Sequence, residues 1–377
     1  MRMHDEPMKI AYVVHDYHRG GGHSRYVAEL ATRFAKTHEV HVFANHIDAE
    51  GVTGIRFHSV PAWRVNALTT VLTFAVPATL QIGRGFDIVH SQGFCGFRGN
   101  IFTGHICNRA WHLARKKFEG GLSLRESIFN AVASAFEHGV YRLARHARVV
   151  AISQRVADDI AKFYHCRVPI RVIHHGVDLE RFCPENRNRW RAEVRAECGI
   201  PEDEMVFLYV GDLRKGADVC IQALSRLPRG RLVLVSRSRS TPYEKQANQA
   251  GIGARVHFLG ATNQVERIYA AADALVLPTP YDAFAMVVTE AMASGLPVVV
   301  SREAGASELI EAGVNGLVLE NVKDVTALAQ HMQSLMDDRC WAASVGQAAR
   351  KSVESMSWDA VAAQTMQVYE DLLRNPN

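Results

Sequence analysis

The chain contains no CxxC pair, and its seven cysteines (Cys95, Cys107, Cys166, Cys183, Cys198, Cys220 and Cys340) are odd in number and scattered. Such spacing argues against a disulfide frame or a cysteine zinc site and points to reduced thiols in a cytoplasmic compartment. Net charge is also small, +4 over 377 residues, so composition gives no reason to expect nucleic acid as a partner. The longest uncharged segment, Val65 to Gly83, includes Asn66, four threonines and an interior Pro77. It is too weakly hydrophobic for a membrane span and reads as a buried or membrane-facing surface helix. The N-terminal MRMHDEPMKIAYVV places acids before its first apolar run and shows no small-residue cleavage pattern, so it is not expected to be a signal peptide. Nor is there a cluster of His, Cys and acids that demands a metal.

What is present describes a globular α/β protein, with 48% hydrophobic and 22% charged residues. The length allows two ordinary domains, each with its own core. Short Val-, Ile- and Phe-rich runs at Lys9 to Val14, Glu39 to Ala44, Ile55 to Val60, Phe86 to His90, Asn100 to Thr103, Arg148 to Ile152 and Ile170 to Ile173 read as strands. Helical spacings lie among them: Val27, Leu30 and Phe34, then Val156, Ile160 and Phe163 behind a capping Ser153. From Gly176 to about Pro201, prolines, asparagines and a charged cluster break the rhythm and mark a domain boundary. The alternation then resumes with strands at Met205 to Val210, Arg231 to Val235, Val256 to Leu259, Ala274 to Leu277, Pro297 to Val300 and Leu317 to Leu319. Strands bracketed by helices imply doubly wound parallel sheets, here in two α/β domains. Ligands of such sheets bind at the carboxyl ends of the strands, and two facing domains would share a cleft there.

Three local features fall at expected strand ends. Gly20, Gly21 and Gly22 lead from the first strand into a helix. They suit either close backbone approach to a phosphate or a flexible turn, and their spacing is not the GxGxxG of a dinucleotide fold. GDLRKGAD puts Arg214 and Lys215 before a glycine and a helix, which suits a diphosphate or a solvated turn. PYDAFAMVVTEAMASGLPVVV carries Asp282 at its loop, and Glu290 is the only charged residue from Ala283 to Val300. A lone carboxylate in so apolar a stretch needs a partner if it is buried.

Taken together, HRGGGHSRYVAEL, FDIVHSQG, VVAISQRVADDI, VIHHGVDLERF, VGDLRKG, DAFAMVVTEAMASGLPVV and AGASELIEAGVNGLVL resemble, in order and spacing, the retaining nucleotide-sugar glycosyltransferases of the GT-B fold. The match is to the group 1, family 4 type marked by an acid, seven residues, then Glu. The resemblance implies two Rossmann-like doubly wound domains facing a central cleft: residues 1–180 on the acceptor side, 181–355 binding the nucleotide sugar, and 356–377 as a C-terminal helix returning to the first domain. It implies that Glu290 bonds the donor ribose and Asp282 the donor sugar, with the amides of Phe284, Ala285 and Met286 facing sugar and diphosphate. Lys215, with Arg214, would neutralise the leaving diphosphate, Gly21 and Gly22 would close over it, and His105 would lie near the reacting sugar. Three positions depart from the pattern: Asp282 stands where Glu is usual, Ala285 where Gly is usual, and Asp212 where Arg is frequent, so that Arg214 is expected to stand in for it.

The resemblance implies transfer of a hexose from a UDP-, GDP- or ADP-sugar, with no metal or other cofactor. The acceptor would be a glycan or glycolipid, such as one in lipopolysaccharide or other cell-surface polysaccharide synthesis. A non-catalytic nucleotide-sugar-binding protein and a nucleotide-sugar epimerase are the alternatives on the same architecture. Between Arg109 and Arg148, eight bases (Arg109, Arg115, Lys116, Lys117, Arg125, Arg142, Arg145, Arg148) face three acids (Glu119, Glu126, Glu137). That excess suits either an anionic membrane surface, at the inner face of the cytoplasmic membrane, or a solvated helical face.

Overall fold

The computed structural model describes residues 6–375 apart from 120, 122 and 144–146. The chain divides into two units, residues 1–176 with 358–377 and residues 177–357. The short branched-apolar runs do form strands, and all of them pair in parallel. In the first unit these are β1 (Lys9–Val13), β2 (Glu39–Ala44), β3 (Ile55–Ser59), β4 (Ile88–Gln92), β5 (Ile101–Gly104), β6 (Arg148–Ala151) and β7 (Ile170–Val172). Their order is β3-β2-β1-β4-β5-β6-β7, so the chain winds outward from β1 in one direction and then from β4 in the other. β1, at the reversal, is paired on both sides, with β2 and with β4.

Five helices complete this part of the chain: α1 (Gly22–Phe34), α2 (Ala67–Gln81), α3 (Asn108–Glu119), α4 (Leu124–Leu143) and α5 (Gln154–Tyr164). α2 is the uncharged segment singled out in the sequence. Asn66 and Thr69 cap it reciprocally, and Phe74, Ala75 and Ala78 are buried while Val76 and Leu80 face outward. Among the described residues no helix is long and apolar enough to cross a membrane.

The second unit repeats the plan with β8 (Val206–Val210), β9 (Arg231–Val235), β10 (Val256–Leu259), β11 (Ala274–Leu277), β12 (Val298–Ser301) and β13 (Leu317–Leu319), in the order β10-β9-β8-β11-β12-β13. Its helices are α6 (Asn186–Glu197), α7 (Ala217–Ser225), α8 (Thr241–Gln249), α9 (Val265–Ala271), α10 (Met286–Ala293), α11 (Val325–Asp337) and α12 (Arg339–Val353). The stretch read as a boundary thus contains a 12-residue helix inside the second unit, and the division falls at its start, after Gly176. α6 is held by charge: Arg187, Arg191 and Arg195 converge on the buried Asp273, which also accepts from the Val206 amide.

α13 (Trp358–Arg374) belongs to the first unit. A chain of buried polar groups fixes it there. The Tyr369 hydroxyl lies 2.8 Å from that of Tyr12 and 2.7 Å from His90 Nδ1, while His90 Nε2 lies 2.6 Å from Thr103 Oγ1. Burial pushes the His90 pKa down to about 3, so the ring stays neutral with one donor and one acceptor nitrogen, each with a partner.

A second buried group in this unit is less comfortable. Glu137 of α4 is 1% exposed. Its Oε2 accepts from the Tyr164 hydroxyl and from the amide and side chain of Asn108, at the start of α3. Burial raises its carboxyl from the ordinary 4.5 to about 7, against the pull of those donors. An acid raised in this way holds its proton more tightly folded than unfolded. The fold therefore loses stability as pH climbs from 4.5 towards 7, on the order of 3 kcal/mol for a shift of this size. Glu137→Gln keeps an acceptor for Tyr164 without the charge. Thermal melts should show this variant gaining on the parent between about pH 5 and about pH 8; the same difference at both would rule Glu137 out as the titrating group.

Candidate functional site

In the second unit the turn after β8 meets the loop after β11. Gly216 makes this possible, because a Cβ there would lie 2.3 Å from the Pro278 carbonyl oxygen. The turn's backbone is pinned by the buried Tyr209, whose hydroxyl donates to the Asp212 carbonyl at 2.6 Å. Lys215 is thereby placed with Nζ donating to Asp282 Oδ2 at 2.8 Å, both side chains partly exposed. Asp282 Oδ1 accepts from the Phe284 amide at 3.2 Å. The loop itself is laced to the segment after β12 by backbone bonds from Asp282 N to Glu303 O, Gly305 N to Asp282 O and Ala306 N to Phe284 O.

Two expected roles change in this geometry. The Phe284 amide is already taken by Asp282, and the Phe284 ring is buried. Ala285 and Met286 supply the amides at the start of α10 for which no acceptor occurs among the described residues. Arg214 is turned onto its neighbour: Nε and Nη2 grip the Asp212 carboxylate at 2.6–3.1 Å, with Ser238 Oγ donating to the same group. That guanidinium holds the Asp212 carboxyl down to about 2. The fork expected to stand in for a missing arginine is therefore engaged by the residue that replaced it.

Glu290, on α10, is 7% exposed. The buried Tyr269 donates its hydroxyl to Glu290 Oε2 at 3.2 Å and to the Val287 carbonyl at 3.1 Å. Neither Tyr269 nor Ser238 stood out in the sequence. The one available hint was general: a buried carboxylate needs donors, and those can come from anywhere in the fold.

The first unit gathers its candidates at the carboxyl ends of β1, β4 and β5. Gly21 and Gly22 open α1 with φ of 134° and 60°, left-handed values that glycine adopts without strain. Added Cβ atoms would meet nothing there, so conformation rather than crowding calls for glycine. His105 follows β5, its Nε2 2.8 Å from Oε1 of the buried Gln92 at the end of β4. Its ring lies 5.1 Å from Tyr26, 5.8 Å from His23 and 5.5 Å from His175, and His23 lies 4.8 Å from His15. Burial, then the neighbouring imidazoles, push the His105 pKa well down, and burial with His15 takes that of His23 to about 3. Both rings are neutral at ordinary pH. Among the described residues no group of three or more His, Cys, Asp or Glu is arranged to hold a metal ion.

Comparison with known proteins gives these geometries a context. Residues 191–352 match the family described as Glycosyl transferases group 1, and residues 20–181 match Glycosyltransferase Family 4. An uncharacterised glycosyltransferase of Methanocaldococcus jannaschii is 26% identical across 96% of this chain and 98% of its own. A D-inositol 3-phosphate glycosyltransferase of Streptomyces avermitilis is also 26% identical, across 93% of this chain and 82% of its own. Among solved structures, WaaG, a glycosyltransferase involved in lipopolysaccharide biosynthesis, has a TM-score of 0.80 at 21% identity, covering 96% of this chain and 99% of WaaG. Anabaena HepE, solved in complex with UDP-glucose, has a TM-score of 0.73 at 19% identity, covering 97% and 100%. The shared fold is GT-B, with parallel α/β sheets in two domains.

The residue before α10 explains one departure from the sequence pattern. Ala285 has φ 69° and ψ 70°, the left-handed region, where a Cβ costs roughly 1–2 kcal/mol. Ala285→Gly should therefore stabilise the protein by about 1 kcal/mol, read as a higher denaturation midpoint; an unchanged or lower midpoint would mean that the alanine methyl contributes packing that offsets the strain.

Proposed function

Because the chain belongs to the group 1 glycosyltransferases, we propose that it transfers a hexose from a nucleotide diphosphate sugar to a glycan or glycolipid, with retention of anomeric configuration. The observation that carries this reading is Lys215 Nζ held 2.8 Å from Asp282, beside the open amides that start α10. A cation and helix-start amides at one strand edge suit a diphosphate leaving group. HepE, of the same fold, has been solved with UDP-glucose, which supports a UDP-sugar first and GDP- or ADP-sugars next as donors.

In the proposed reaction the bond between the anomeric carbon and the diphosphate oxygen breaks, and the acceptor oxygen bonds to that carbon on the same face. The acceptor's proton passes to the departing diphosphate. Lys215 neutralises the charge growing there, and Glu290 bonds the ribose. Asp282 faces the hexose hydroxyls, and no metal takes part. The protein's work is positioning and electrostatic stabilisation.

A panel of UDP-, GDP- and ADP-sugars tests this by nucleotide release with and without glycan or glycolipid acceptors. Nucleoside diphosphate accumulating only with acceptor supports the transferase. A changed sugar without acceptor would indicate an epimerase, and binding without turnover a non-catalytic protein. With the active donor, Lys215→Ala should lower kcat on the order of 100-fold yet change stability by less than about 1 kcal/mol, because the ion pair is partly exposed. Near-normal turnover would remove Lys215 from the mechanism.

For the acceptor we favour a membrane-borne, phosphorylated glycolipid of the kind found in lipopolysaccharide. Leu124, Ile128 and Val132 recur at every fourth position along α4 and are all exposed, as is Leu113 on α3. Arg109, Lys116, Lys117 and Arg125 are exposed on the same two helices. An apolar stripe with flanking cations suits an anionic lipid surface. Arg115 is better left out, since it pairs with Glu126 at 3.0 Å and stacks on Trp111; Arg145 lies outside the described residues. The protein should cosediment with vesicles of phosphatidylcholine and phosphatidylglycerol, and lose binding in Lys116→Glu/Lys117→Glu and in Ile128→Glu. Absence of binding by the parent protein would refute the lipid surface.

A further inference from the structure

Glu137, buried and titratable, has no part in the bond-making steps, yet it caps a helix at long range. The first amides of a helix have no partner within it. In α3 the Asn108 amide donates to Glu137 Oε2 at 2.9 Å, and the Arg109 amide donates at 3.1 Å to the Tyr164 hydroxyl, which in turn donates to that same Oε2. The Asn108 side chain donates there as well, at 3.1 Å. The Ala110 amide faces the Cys107 thiol. From 29 and 55 positions away, α4 and α5 thus supply what a local Ser or Asp usually supplies.

The capped turn is tied closely to the carboxyl edge of the sheet. β5 ends at Gly104, and only His105, Ile106 and Cys107 separate it from Asn108. A Cβ on Gly104 would lie 2.5 Å from Ile160 Cδ1 and 2.9 Å from the Tyr141 hydroxyl, and Cys107 is fully buried. So short a segment, pinned at both ends, moves only if its cap moves. We propose that Glu137, with Tyr164, is a positioning residue for the reaction, holding the segment that carries His105 at the edge where ligands of parallel sheets bind. This rests on the transferase reading and adds Glu137 and Tyr164 to it.

The bonds to Oε2 are charge-assisted only when the carboxyl is ionised, and an anion there also meets the positive end of the α3 dipole. Burial opposes ionisation and raises the carboxyl to about 7. The titratable and charged groups around it are Tyr164 and Asp159 of α5, Cys107, Tyr141 and His138 of its own helix, and Arg109 of α3, whose side chain is exposed. The form that caps α3 best is therefore the form that costs the fold stability.

Glu137→Gln fixes the neutral state. In the parent protein labelled with 15N-histidine, the His105 ring nitrogens, themselves neutral throughout, should shift between about pH 6 and about pH 8; in Glu137→Gln they should not. With the donor and acceptor that turn over in the panel, kcat/KM of Glu137→Gln for the acceptor should equal the parent's below about pH 6 and fall about fivefold short of it above about pH 8, the effect of one hydrogen bond. Over that range the variant gains stability on the parent, whereas a residue that only stabilised the fold would make activity follow stability. Tyr164→Phe removes a donor to the carboxylate and should move both transitions to higher pH. His105 signals that titrate alike in the parent and Glu137→Gln would overturn the proposal whether or not any donor turns over, and so would matching kcat/KM profiles where one does. The spectra need no substrate, so their failure is distinct from a failure of the transferase reading in the panel.

Discussion

A parallel strand delivers its carboxyl end, and the turn that follows it, to the same edge as every other strand in its sheet. Both sheets here are wholly parallel, and each reverses direction beside its first strand. That constraint collects residues far apart in sequence. In the first unit Gly21 follows β1, Gln92 ends β4 and His105 follows β5; in the second, Lys215, Ser238 and Asp282 follow three different strands. Moving any of these turns to the opposite edge would require an antiparallel strand, and none occurs in either sheet among the described residues.

The two edges differ in chemistry, and burial accounts for the difference. The second unit keeps its charges partly exposed and closes them on one another: Lys215 on Asp282 and Arg214 on Asp212. Such pairs form at little desolvation cost and open at little cost. Glu290 is the exception, being buried, and it has a fixed donor in Tyr269. The first unit surrounds its imidazoles with Tyr26, other histidines and the sheet, so that they are held neutral. One edge presents charged groups, the other neutral imidazoles.

Away from these edges, buried polar groups attach the elements that the sheets alone would not hold. The Tyr12, Tyr369, His90 and Thr103 chain binds α13 to the first unit although 357 positions separate Tyr12 from Tyr369. Asp273 does the same for α6 with three of its arginines. In each case every polar atom named has a partner, which is the condition for burying it.

The sequence by itself determined the strands and their order of appearance, because a branched-apolar run and the turn that ends it are local properties. Its glycines, the lysine of the turn after β8 and the pair Asp282 and Glu290 could be placed at strand ends for the same reason. It also determined the family, through motifs whose spacing needs no contact to be seen. Helix α6 was missed because its pattern is polar, and only the tertiary structure supplies the single aspartate that neutralises it. Tertiary structure alone decided that Arg214 turns to Asp212, that the Phe284 amide is taken, that Glu290 meets Tyr269, and that His23 lies beside His105. The first two pairs are only 2 positions apart and depend on how the turn or loop is bent, whereas Tyr269 and Glu290 are brought together across 21 positions and His23 and His105 across 82. A linear pattern carries no record of which side chains burial will bring within reach of one another.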